Sequence, residues 1–290
     1  MSTKRVIGVD IGGTKVLAGI VDSDGQVHET VERPTVTTSQ TALLEQLADQ
    51  VLSLPQDGVE AVGFGIPTRI NHERGVALGS VNIPLRDVPF RDWMHDRIGL
   101  PVEIENDASC AALAEHRFGA GRGVRDLLLL TLGTGVGGGV ISGGQLFRAY
   151  TELGHMVIVV DGLPCQGACS GRGHLEAYCS GRAADKLAKE LLGPHGTAYD
   201  LVREHHPVLD DIGHYLGAAI GSLVNIFGAT RVLIGGGFGV AAFDQLVPAA
   251  RLAVLTEALA PSGQELELER AALGGDAGLI GAGLVALEAL

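Results

Sequence analysis

The feature that most constrains this chain is a pattern that occurs twice. VIGVDIGGTKVLAGIVDSDGQV near the N-terminus and LLLLTLGTGVGGGVISGGQL further on both read as strand, glycine turn, strand, small turn, strand. In each, an apolar run ends in glycines and a second apolar run follows at once, as buried strands joined by a tight turn require. The turns begin at Gly12 and Gly133, 121 residues apart, a spacing too long for a solenoid repeat. The echo points to two related β-β-β-α halves with a cleft between them. A length of 290 residues agrees, being about two domains' worth.

The rest of the pattern fills in around these turns. Residues 4–10 read as a buried strand. Segments 16–21 and 27–31 are apolar-rich strands joined by Asp22-Ser23-Asp24-Gly25, a hairpin signal. Helical spacing covers 39–54, ending at Pro55; strands follow at 59–65 and 101–105, and an alanine-rich helix at 108–118. The second half predicts strands at 126–132, 136–142, 145–147 and 231–234, and helices at 175–192, 210–228, 240–258 and 277–290. The fold class is α/β. The pattern places a small α/β domain over 1–107, with the C-terminal helix 277–290 folding back onto it, and a large α/β domain over 108–276.

Composition removes several classes of function. Glycine is the outlier, 43 residues in 290, but without a G-X-Y period. With 46% hydrophobic residues the chain is far from the disordered regime. A net charge of −13 argues against nucleic-acid or anionic-membrane partners. The most membrane-like window, 218–243, carries Asn225, Arg231 and the helix-breaking run GGGFG. The N-terminal MSTKRVIGVD has no long apolar stretch of the signal-peptide kind. A cytoplasmic setting is expected. The four cysteines, Cys110, Cys165, Cys169 and Cys179, then suggest metal binding or catalysis where they cluster, rather than disulfides.

The glycine turns suit phosphate. At a strand end, residues without a β-carbon let backbone N–H groups approach phosphate oxygens. Asp10, just ahead of Gly12-Gly13-Thr14-Lys15, narrows the class of phosphate. A carboxylate aimed at a polyphosphate repels it unless a cation lies between, which is how Mg²⁺ serves phosphoryl transfer. A dinucleotide site needs no such carboxylate, and its G-x-G-x-x-G is missing from this turn. Gly133-Thr134-Gly135-Val136-Gly137 and Ile234-Gly235-Gly236-Gly237 follow strands in the same way.

In these motifs the chain resembles the ROK family of sugar kinases and repressors, within the actin-like ATPase superfamily. The resemblance runs from about residue 5 to the end. It implies two actin-like (ribonuclease H-like) domains and a triphosphate held by loops like DIGGTK and LGTGVGGG, with a segment like LIGGGFG near the adenosine. Those roles fall on Asp10, Gly12, Gly13, Thr14, Lys15, Gly133, Thr134, Gly135, Gly137, Gly235, Gly236 and Gly237. Glu105-Asn106-Asp107 precedes a helix and suits a plain N-cap. The resemblance instead assigns Asp107 as the catalytic base and Asn106 to a sugar hydroxyl. Glu152, His155 and Glu176 resemble the family's other sugar-binding positions. In Gly65-Ile66-Pro67-Thr68, where the family usually has G-x-P-G, only Gly65 carries over. Asn82 is a further candidate sugar contact.

A second motif is metal-like. His155, Cys165, Cys169 and His174 have zinc-ligand spacing. The intervening DGLPCQGACSGRGH has almost no apolar side chain to bury, so a metal would supply the missing order. The family's usual pattern is a histidine followed by C-x-C-G-x-x-G-C-x-E. This chain has two extra residues between the first cysteines, and His174 stands where the last cysteine would be. The two cysteines and two histidines still complete a tetrahedral set for a structural Zn²⁺. Cys110 suits a core position.

The resemblance implies an ATP-dependent hexose kinase using Mg²⁺, glucokinase first. Fructokinase, N-acetylmannosamine or N-acetylglucosamine kinase and allose kinase remain open, as does polyphosphate as donor. A sugar-responsive repressor is the reading from another class. Only nine residues precede Asp10, too few for a DNA-reading module. A homodimer or homotetramer is implied by resemblance alone.

Overall fold

The computed structural model describes residues 3–80 and 82–290. The chain divides into two compact units, Met1–Phe118 with Gly275–Leu290, and Gly119–Gly274. The first holds β1 (Arg5–Ile11), β2 (Lys15–Asp22), β3 (Val27–Pro34), α1 (Gln40–Leu52), β4 (Val59–Ile66), β5 (Arg69–Asn71), β6 (Val76–Gly79), β7 (Arg86–Val88), α2 (Phe90–Ile98), β8 (Val102–Asn106) and α3 (Asp107–Phe118). The second holds β9 (Leu127–Leu132), β10 (Val136–Ser142), β11 (Gln145–Leu146), α4 (Glu176–Cys179), α5 (Gly181–Leu192), α6 (Ala198–Arg203), α7 (Val208–Phe227), β12 (Arg231–Gly235), α8 (Gly237–Glu257), α9 (Ser262–Glu265) and β13 (Glu267–Arg270). The last helix, α10 (Ala277–Glu288), belongs to the first unit.

The repeated sequence pattern is a repeated sheet. The first unit orders its main sheet β3-β2-β1-β4-β8, with an antiparallel β3-β2-β1 hairpin series and parallel β1-β4-β8 pairing. The second orders its sheet β11-β10-β9-β12-β13 with the same strand directions. A small third sheet, β5-β6-β7, has no counterpart among the segments predicted from sequence, because its strands are only three or four residues long.

In the first unit, α1 begins where Ser39 accepts a hydrogen bond from the Ala42 N–H, and it buries Leu43, Leu44, Leu47 and Val51 against the sheet. On the other face, α10 packs at backbone distance. A β-carbon at Gly8 or Gly63 would collide with the carbonyls of Leu279 and Ala282. One at Gly281 would collide with the carbonyl of Cys110 on α3. This contact keeps α3 with the first unit, so the boundary lies at Phe118 and not near 107. Cys110 is fully buried, as a core residue.

In the second unit, the expected helix 175–192 is two helices. Ser180 turns extended between α4 and α5, and its buried side chain caps the Ala183 N–H. The window 218–243 divides into the end of α7, β12 and the start of α8. Among the described residues, α8 is long and apolar enough to cross a membrane by length and composition. It contains Pro248 and buries Phe238, Ala242, Leu246, Ala250 and Val254 within the unit's core.

Candidate functional site

The first glycine turn joins β1 to β2, which pair as far as Ile11 and Val16. It closes where the Gly12 N–H donates to the Lys15 carbonyl at 2.9 Å. Thr35, just after β3, braces it from below: its hydroxyl donates to the Gly12 carbonyl (2.7 Å) and its N–H to the Thr14 carbonyl (3.0 Å). Gly13 and Thr14 remain exposed. Asn82 stands beside the turn, 3.6 Å from where a β-carbon on Gly13 would lie. Lys15, expected at the phosphates, is exposed beside the turn. Its ammonium pairs with Glu32 at 2.7 Å, and that pairing raises its pKa.

Asp10 sits one residue before the end of β1, paired in register with Gly65 of β4, whose neighbour Ile66 pairs with Asn106 of β8. Asp107 opens α3. Burial and, second, the Asp107 charge push the Asp10 carboxyl up to about 7, a shift that Lys15 offsets only in part. The carboxylate lies against the first turn of α10, where a β-carbon on Gly278 would come within 2.5 Å of it. Two carboxylates so placed repel each other, and the repulsion is relieved by a proton or a cation. This donor set of carboxylate oxygens beside an open glycine turn fits Mg²⁺.

Asn106 is first of all an N-cap: its Oδ1 accepts from the Ser109 N–H (3.1 Å), and its Nδ2 donates to the Thr68 carbonyl (3.4 Å). Gly65 is buried inside β4, with the space beyond its Cα filled by Asp107 Cα and Cys110 Sγ, so it admits α3 and does not face outward. Sequence reasoning missed what holds this motif. Glu105, only 2% exposed, accepts from the Asn106 N–H (2.8 Å) and bonds the His72 ring at 2.9 Å. Arg91 in turn donates to the His72 carbonyl and to Glu103. Neither His72 nor Arg91 stands in a recognisable motif.

In the second unit, Gly133-Thr134-Gly135 joins β9 to β10, with the Gly133 N–H donating to the Gly135 carbonyl at 2.9 Å. Gly133 has no atom within 4 Å of an added β-carbon and is not left-handed, so the fold does not demand glycine there. Gly137 lies past the turn, inside β10 opposite Thr131. The third glycine run is a strand–helix junction. Gly235 ends β12, Gly236 is left-handed (φ +76°), and Gly237 opens α8 beside the Tyr199 hydroxyl. A β-carbon at Gly236 would lie 2.5 Å from the Leu132 carbonyl oxygen, so this glycine is needed for the backbone.

Glu152 and His155 occupy one short turn, 152–155, that packs on the start of β10: a side chain at Gly154 would collide with the Val136 carbonyl. Glu176 accepts from the Val136 N–H at 2.9 Å. The structure thus gathers Glu152, His155 and Glu176 around the second glycine turn.

The four expected metal ligands also converge. One ligand atom from each of His155, Cys165, Cys169 and His174 lies within 4.8 Å of every other. The Nδ1 atoms of His155 and His174 are 3.2 Å apart. Cys165 Sγ lies 3.6 Å from His155 Nδ1, and Cys169 Sγ 3.6 Å from His174 Nδ1. A tetrahedral zinc with ordinary bond lengths requires about 3.3 Å between two nitrogens and about 3.5 Å between nitrogen and sulfur. Desolvation, and then Cys169 and Glu176 nearby, push the Cys165 thiol up to about 11. Like Asp10, it is a group whose ionised form needs a cation. Cys179 lies apart from the cluster; it is fully buried, and burial pushes its thiol up.

Comparison with known proteins decides the family. The ROK family's sequence model matches residues 6–289. The chain belongs to the ROK family. This ROK chain is 36% identical to a glucokinase of Streptomyces coelicolor over 260 residues, 80% of this chain and 81% of the relative. It is 32% identical to the kanosamine kinase of Amycolatopsis mediterranei over 100% of this chain and 98% of that one. Among solved structures, a ROK family glucokinase from Streptomyces griseus in complex with glucose and AMPPNP matches with TM-score 0.85 and 33% identity, covering 98% of this chain and 99% of that one. The ROK chain is therefore a sugar kinase with the two-domain actin-like fold.

Proposed function

We propose that this chain is an ATP-dependent hexose kinase, a glucokinase, that transfers the γ-phosphoryl group of ATP to the 6-hydroxyl of glucose. The observation that carries the reading is the Asp10–Asp107 pair at the sheet end beside an open glycine turn. One carboxylate is placed to hold a cation on the phosphates, the other to meet the acceptor alcohol. Mg²⁺ held on the Asp10 side, directly or through water, would offset the charge of the phosphates. The Gly12 and Gly133 N–H groups close their own turns, so the phosphate oxygens meet the rest of each turn, Gly13-Thr14 and Thr134-Gly135, with the 235–237 junction serving the adenosine. Asp107 accepts the proton of the sugar hydroxyl as its oxygen bonds to the γ-phosphorus and the bond to ADP breaks. Such a base contributes about 10²–10⁴ in rate. Asn106, after capping α3, still has one amide N–H for the sugar. Glu152, His155, Asn82 and the second oxygen of Glu176 supply the remaining polar groups. His155 turns Nδ1 toward the cysteine cluster, which leaves Nε2 for a hydroxyl.

The cluster of His155, Cys165, Cys169 and His174 holds a structural Zn²⁺ in this reading, supported by the convergence of its four ligand atoms and by three separations of 3.2, 3.6 and 3.6 Å that suit a tetrahedral ion. ATP as donor and four free cysteines support a cytoplasmic setting. The test is ADP release measured against a panel of glucose, fructose, mannose, N-acetylmannosamine, N-acetylglucosamine and kanosamine. Glucose should give the highest kcat/KM. A preference for an amino or acetamido sugar would move the assignment within the family, and no turnover with any of them would end it.

A further inference from the structure

Glu176 has more to do than read a sugar. Its Oε2 accepts from the Val136 N–H at 2.9 Å and lies so close to Gly135 that any side chain there would collide with it. Its Oε1 lies 4.0 Å from Cys165 Sγ. Its own carbonyl accepts from the side chain of Gln166, inside the cysteine loop, at 3.0 Å. Five residues on, the Gly181 N–H donates to the Gly133 carbonyl at 2.7 Å. The segment from Glu176 to Gly181 therefore grips the Gly133–Gly135 turn at both ends, and the cysteine loop grips the segment. The turn's own Gly133 N–H to Gly135 carbonyl bond closes it without tying it to the elements around it, and Gly133 is open on its side-chain face.

We infer that Glu176 is a positioning residue for the nucleotide: it couples the His155–Cys165–Cys169–His174 cluster to the geometry of the phosphate-facing turn. This rests on the kinase reading above. A carboxylate acceptor on a backbone N–H is a strong, charge-assisted bond, and removing one partner leaves a donor unmatched. The Val136 N–H sits where β10 leaves the turn, so losing its partner frees the turn's exit. A loaded cluster holds the cysteine loop, and through it Glu176, in the gripping position.

The test uses the full chain without sugar, so that a sugar contact of Glu176 cannot contribute. Two quantities are read: the Kd for a non-hydrolysable ATP analogue with Mg²⁺, and amide hydrogen exchange at Val136. Glu176→Ala should weaken nucleotide binding and speed Val136 exchange, each by about tenfold or more, with protection in α7 unchanged. Glu176→Gln keeps an acceptor oxygen for Val136 and should stay within about threefold of the wild type in both. Stripping the metal from the wild type should speed Val136 exchange, and stripping it from Glu176→Ala should add nothing. Unchanged nucleotide affinity and unchanged Val136 exchange in Glu176→Ala would overturn the inference. So would an equal effect of stripping in both proteins. A wild type that binds no nucleotide would instead overturn the kinase reading.

Discussion

Replacing Asp10 by asparagine should make the ligand-free protein more stable while abolishing catalysis. In the folded chain the Asp10 carboxyl titrates at about 7 against an ordinary value of 3.8, because burial and then the Asp107 charge disfavour its anion. A rise from 3.8 to about 7 corresponds to about 4 kcal/mol, and the solvent that reaches this partly buried group reduces that to about 2 kcal/mol. Between the two values the folded state holds a proton that the unfolded chain has lost, so stability falls as pH rises from about 4 to 7 and stays low above it. Below 3.8 both states are protonated and the penalty vanishes. Asparagine matches the shape without the charge. Calorimetry in chelator without nucleotide should therefore show Asp10→Asn melting about 4–8 °C above wild type at pH 8, with the gap closing toward pH 4. Mg²⁺ at pH 8 should narrow the gap by stabilising the wild type alone. A variant no more stable than wild type at pH 8, or a gap independent of pH, would refute the reasoning that this carboxylate is held strained for a cation.

Three further outcomes follow from the same structure. Asp107→Asn should lower kcat by about 10²–10⁴ and change sugar affinity little, read by steady-state kinetics and sugar binding. Gly133→Ala should leave stability within about 0.5 kcal/mol, because its β-carbon meets nothing within 4 Å, yet raise KM for ATP about tenfold or more by standing where phosphate approaches. Purified protein should contain about one zinc per chain by elemental analysis, and replacing Cys165 and Cys169 together by serine should abolish it.

Much of the candidate site is legible in the sequence because its parts are local. A strand ending in glycines, an aspartate at that strand end, and two cysteines and two histidines within twenty residues each show in a short window. The zinc-like set departs from the family's usual spacing, and it still closes because four ligand atoms need only converge on one point. The Lys15–Glu32 pair could not be read in the sequence, because it takes the β2–β3 hairpin to bring Glu32 within reach of Lys15. Asn106 could be read two ways, and its side chain caps α3.

By itself the sequence determined where the longer strands lie in each half, the glycine turns and the candidate ligand set, since these depend on backbone periodicity and short-range spacing. Only the tertiary structure decided which charges meet. Asp10 and Asp107 are far apart in the chain, and parallel β1-β4-β8 pairing brings them to one sheet end. Thr35, His72 and Glu176 acquire their roles through bonds that span 23, 33 and 40 residues. Packing also divided the glycines between two uses. Gly8, Gly63 and Gly281 are there because α10 packs at backbone distance on the sheet and on α3, and Gly133 because its face is left open. The sequence shows the same letter in both cases; the space beyond the α-carbon tells them apart.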